Sequence, residues 1–70
     1  MTSVYTAITK KSGDWWVGWI EEVPGVNAQE KSKEELLSSL RDILAEALEF
    51  NRTDARLSAE DNYTEELVTL

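Results

Sequence analysis

Seventy residues without cysteine or histidine, with seven basic against fourteen acidic side chains and a net charge of −7, make one small domain. That composition rules out disulfides, thiolate metal sites and any histidine-assisted nucleophile. It also works against phosphate backbones, whose affinity for proteins comes from lysine and arginine, so a basic protein is the expected partner and direct nucleic-acid contact is not.

Residues about 4–10 hold the run VYTAIT, rich in β-branched and aromatic side chains, and predict a first strand. Lys11-Ser12-Gly13-Asp14 follows as a turn, with Gly13 supplying the positive φ of a tight hairpin. A second, antiparallel strand is expected over about 15–21. Pro24 and Gly25 then break the pairing, because proline lacks a donor and glycine tolerates the reversal. A short third strand over 27–30 returns along the second.

At Ser32 the pattern changes. Ser32-Lys33-Glu34-Glu35 reads as a capping box, in which the serine oxygen accepts from the Glu35 amide and the Glu35 carboxylate returns to the serine amide. Leu36, Leu37, Leu40, Ile43, Leu44, Ala47, Leu48 and Phe50 then recur at three- and four-residue steps, predicting an amphipathic helix over about 33–50. Residues 51–63 are polar apart from Leu57 and read as a loop, with a helical turn at Ser58–Asp61. Over 66–70, ELVTL recovers β character and is expected as a fourth strand, parallel to the first through a right-handed crossover. The expected fold is α+β, β-β-β-α-β, with sheet order 3-2-1-4, one long helix on one face, and a single domain over 1–70.

All three tryptophans lie between Trp15 and Trp19. Side chains alternate along a strand, so Trp15, Val17 and Trp19 share one face while Trp16, Gly18 and Ile20 share the other. One helix covers only one face of a small sheet. Gly18 has no side chain to hold a helix away, which assigns the helix to its face and leaves Trp15, Val17 and Trp19 uncovered. Clustered exposed apolar groups mark contact sites, although single half-exposed tryptophans are ordinary. Glu21 and Glu22 leave the strand beside this face; they suit a basic partner, or serve simply as solvated charges.

A chain this short buries only about 60% of the surface it exposes when unfolded, so a homodimer or higher oligomer is expected. No cofactor or metal is expected, and no catalysis. Metal-dependent phosphodiester cleavage needs converging carboxylates, and VYTAIT carries none; the glycines form no phosphate-binding loop. No apolar run spans a bilayer and no charged, apolar leader opens the sequence. A cytoplasmic protein without membrane contact is therefore expected.

The ordered set Gly13, Trp16, Gly18, Pro24, Gly25, Ser32 and Glu35, within GDWWVGWIEEVPGV and the following Q-x-x-S-x-E-E-L, resembles the HicB-like antitoxins. The likeness runs from about Tyr5 to Phe50. It implies a reduced form of the ribonuclease H fold and a non-catalytic role: such proteins bind a small basic RNA-cleaving toxin, HicA, and cover its active histidine. Two departures stand out. Glu30 and Lys31 replace the glycine and acidic residue that many members carry before the helix cap. Members that repress their own operon also carry a C-terminal DNA-binding module, of which this sequence shows no sign. The alternative is an orphan oligomeric scaffold or regulatory binding module of the same fold without a toxin.

Overall fold

The computed structural model describes residues 4–70. Three antiparallel strands, β1 (Ala7–Ser12), β2 (Trp15–Ile20) and β3 (Asn27–Glu30), form a sheet in the order β1-β2-β3, and one long helix, α1 (Lys33–Ala59), follows. The fold is α+β. The first hairpin closes between Ser12 and Trp15, with Gly13 at φ 63° making the reversal. The second connection turns through Gly25 at φ 89° and is tied across its mouth by the Ile20 amide, which donates to the Val26 carbonyl at 2.9 Å.

Strand one starts later than the sequence suggests and ends later too. Val4 is exposed, and the Thr6 amide donates to a Glu22 side-chain oxygen rather than to a neighbouring strand. At the other end the two-residue turn lets the ladder run to Ser12.

Ser32 caps the helix from an extended conformation, φ −130° and ψ 158°, and its Oγ accepts from the Glu35 amide at 3.1 Å. The reciprocal half of the box differs from the expectation. The Glu35 carboxylate accepts from the Ser32 hydroxyl at 3.0 Å, so the pair closes side chain to side chain. Glu34 and Glu35 in the first turn also complement the positive end of the helix dipole.

The helix packs across Gly18. A Cβ added there would stand 3.1 Å from Leu36 Cδ2 and 3.4 Å from Leu40 Cδ1. Around this contact Ile20, Val26, Leu36 and Leu40 are buried, with Trp16, Ala28, Ile43 and Ala47 half-buried against them. Ser39 Oγ donates to Glu30 Oε2 at 2.6 Å and fastens β3 to the helix. The helix lies over β2 and β3 and touches β1 least.

Two expectations at the C-terminal side need correction. The loop assigned to 51–63 is helical as far as Ala59. Asn51–Ala59 contains no glycine or proline, and its alanine, arginine and leucine residues sustain a helix without a packing face. The helix ends where Glu60 turns to φ 62° and its amide donates to the Leu57 carbonyl. The fourth strand over 66–70 is not seen: Glu66–Leu70 has no regular structure, and among the described residues β1, like β3, is an edge of the sheet. The extra helical turns use the chain that the crossover would have needed.

Candidate functional site

The register fixes what surrounds the tryptophans. On the face away from the helix, Trp19 lies between Ile8 of β1 and Asn27 of β3, and Val17 lies between Lys10 and Gln29. Trp15 sits at the strand start opposite Ser12. Trp15 and Trp19 are 39% and 43% exposed, while Val17 and Ile8 are half-buried, so a continuous apolar strip runs over β1 and β2 without a covering element. Such strips form where alternation places large apolar side chains on a face that the single helix cannot reach.

Lysines modify the strip at one end. Lys31 Nζ stands 4.0 Å from the Trp15 ring centroid, within cation–π range. On the helix face, Trp16 lies between Lys11 and Lys33, whose Nζ atoms are 5.9 and 5.8 Å from its ring centroid. The bare apolar centre is therefore Ile8, Val17 and Trp19, with Trp15 partly roofed by a cation. Composition points to an acidic surface, but three lysines, Lys11, Lys31 and Lys33, stand over the indoles.

The two glutamates after β2 have different tasks. Glu21 is exposed, and only its amide is engaged, donating to the Thr6 carbonyl at 2.9 Å. Glu22 Oε1 accepts from the Thr6 amide at 2.8 Å and straps the approach to β1 onto the end of β2. That backbone hydrogen bond holds the Glu22 carboxyl below its ordinary value of 4.5. Glu21 is thus the freer charge for a partner. No local pattern announces the Glu22 strap, because its partner is remote in sequence.

Gly13, Pro24, Gly25, Ser32 and Glu35 are found at the turns and at the helix cap. They shape the domain and lie outside the strip. Glu30 and Lys31, the departures from the HicB-like pattern, make contacts of their own: Glu30 with Ser39 and Lys31 with Trp15. Sequence reasoning missed both, since each depends on a register not visible from spacing. Ile8 is a further member of the strip that the sequence did not single out, although its alternation with Ala7 placed it there.

Among the described residues no group of three His, Cys, Asp or Glu side chains gathers as a metal site would, and no helix is long and apolar enough to cross a membrane. The strip presents flat indoles, branched aliphatics and charges of both signs at its rim. Protein–protein contacts are built from these elements, with apolar and aromatic centres and polar borders. Comparison with protein-family models, with curated proteins and with solved structures finds no match.

Proposed function

We propose that the chain is a non-catalytic binding protein, a HicB-like antitoxin or a derivative of one, that holds and neutralises a small basic RNA-cleaving toxin of the HicA kind in the cytoplasm. The observation that carries this reading is the uncovered strip of Ile8, Val17 and Trp19, with Trp15 beside it, on a chain of net charge −7. The strip offers area and a central indole, while the overall charge draws a basic partner into encounter. Glu21 supplies an exposed acid at its edge. Direct contact with DNA, RNA or membrane has no part in this role.

The test is co-purification with the small basic protein encoded beside this gene, followed by an RNA-cleavage assay. Binding with loss of cleavage, both weakened by Trp19→Ala, is the expected result. A basic neighbour that cleaves RNA undisturbed by excess of this chain would overturn the proposal.

The small core favours a second reading. Among the described residues the buried hydrophobic side chains are Ile20, Val26, Leu36 and Leu40, which suits an oligomeric scaffold that gains its stability from other copies and needs no toxin. Unfolding that depends on protein concentration, together with the absence of a basic neighbour, distinguishes it.

A further inference from the structure

The inner side of β1 is only partly covered, with Ala7 packed against the core. Because the helix sits over β2 and β3, a groove opens between helix and β1, lined by Tyr5, Ala7, Leu37, Leu40, Arg41 and Leu44. Its floor is next to a strand edge that pairs with nothing among the described residues. A groove of apolar side chains along an open edge suits one more strand. The same chain carries a β-prone segment without a seat: in Glu66–Leu70, Leu67 and Val68 are 95% and 85% exposed.

That segment does not lie in its own groove, and reaching it would take a fully stretched chain. Between Leu44, at the groove mouth, and Ala59 the helix rises about 22 Å. Packed layers are also set roughly 8–10 Å apart, so the chain must cover about 24 Å before pairing starts. From Ala59 to Glu66 the chain makes seven steps, at most about 25 Å when fully extended, so it would arrive with no slack. In the structure it is not extended, because Glu65 Oε1 is held 3.0 Å from Arg56 Nε, more than three turns beyond the groove (~18 Å of helix rise). From there Glu66–Leu70, at most about 18 Å long, would be used up on the way.

We propose that Glu66–Leu70 is an exchange strand that completes the sheet of a second copy of this chain, lying antiparallel along its β1 edge. Charge and alternation select the direction and register. Within one chain a crossover would impose the parallel direction, but between chains either is open. Antiparallel pairing with Val68 opposite Thr9 puts Glu66 beside Lys11 and Leu70 beside Ala7. All three then point to the helix side, as Ala7, Thr9 and Lys11 do by their pairing with Ile20, Gly18 and Trp16. Val68 and Leu70 fill the groove against Leu37 and Leu44, and the acid meets the lysine at the polar end. The parallel register with Glu66 beside Ala7 would set the acid in the apolar mouth and Leu70 against Lys11. The long free end of the helix, with Phe50 and Leu57 exposed, is then the arm that carries the strand to its neighbour. Leu67 and Thr69 then face the other way, beside Lys10 and Ile8, so the added strand borders the tryptophan strip at Ile8 but is separated from Trp19 by β1, and it does not depend on a toxin.

Because the chain has no cysteine, introduced thiols report it directly. Thr9→Cys and Val68→Cys are made as separate full-length chains, one with a mass tag, then mixed in equal amounts and oxidised gently. Directly opposed antiparallel residues have Cα atoms about 4.5–5.5 Å apart, within disulfide reach. The expected product is the mixed Thr9→Cys–Val68→Cys dimer, at least fivefold over either like pair. Lys11→Glu in the first chain lowers its yield, and Glu66→Lys in the second restores it. A statistical mixture of the three dimers, or an intramolecular bond formed at high dilution in the chain carrying both cysteines, would overturn the exchange. Yields indifferent to the charge swap would overturn the antiparallel register. Trp19→Ala in both chains leaves the mixed dimer unchanged, so failure here is distinct from failure of toxin binding.

Discussion

Gly18 is where strand pairing and helix packing meet, and Gly18→Ala measures how tightly they are joined. The added methyl would sit 2.7 Å from the Ile8 carbonyl oxygen, 3.1 Å from Leu36 Cδ2 and 3.4 Å from Leu40 Cδ1. The leucine termini can rotate by a few tenths of an ångström, but the carbonyl belongs to the β1 backbone and moves only with the ladder. Overpacking of this kind costs about 1–3 kcal/mol. Against it stands the gain of about 0.4–1 kcal/mol from replacing glycine in the unfolded chain. The net loss is about 1–2 kcal/mol, a substantial part of the roughly 4–10 kcal/mol that a domain of this length holds.

Each kcal/mol moves the melting temperature of so small a domain by about 4–8 °C, so Gly18→Ala should melt about 5–15 °C lower. Far-UV circular dichroism at matched protein concentrations reads the shift. Gly13 is the control. It has nothing within 4 Å of an added Cβ but holds φ 63°, so Gly13→Ala should cost only its backbone conformation, about 1 kcal/mol. A Gly18→Ala chain that melts at or above the parent temperature would refute the close approach of helix, Gly18 and Ile8.

Trp19→Ala should weaken binding of the basic partner, by ~2 kcal/mol if the indole centres that interface, with little change in the far-UV signal of this chain; sedimentation velocity of the mixture with that partner checks it. Trp16→Ala acts on folding instead, and because the indole is only half-buried the cost should be about 2 kcal/mol, below that of a fully buried aromatic. Glu22 has its carboxyl held low by the Thr6 amide. Its stabilising effect is therefore present above its ordinary value of 4.5 and lost as pH falls through the lower folded value. Glu22→Gln should flatten the acid limb of melting temperature against pH below about 4.5. Ser32→Ala removes the cap and should cost about 1 kcal/mol, read as a lower urea midpoint with an unchanged slope.

The parts of the fold legible in the sequence are those fixed by local chemistry. Gly13 and Gly25 mark their turns because few other residues hold positive φ, and Ser32 marks the helix start because its hydroxyl reaches the Glu35 amide. Gly18 identifies the helix face through the absence of a side chain. The helix end was hidden for an equally physical reason. Periodicity reports burial, and Asn51–Ala59 is exposed throughout, so the segment keeps its helix by propensity and leaves no periodic signature. Contacts that depend on register, such as Thr6–Glu22, Glu30–Ser39 and Lys31–Trp15, lie beyond any spacing rule.

The unseen helix end changes the meaning of the C-terminal segment. With a helix ending near Phe50, ELVTL would be the closing strand of a self-contained sheet, and the β1 groove would be filled by its own chain. With the helix running to Ala59, the same residues stay β-prone and apolar but are carried about 13 Å further from the groove. The uncovered surface is then of two kinds, on opposite faces. The strip of Ile8, Val17 and Trp19 is broad and flat and carries an indole, the form of a surface that meets another surface. The groove along β1 is bordered by open backbone donors and acceptors, which an added extended segment can pair. Among the described residues the buried apolar core is four side chains, and the two proposed contacts, one with the arm of another copy and one with a partner, would each add stability to so small a core by mass action.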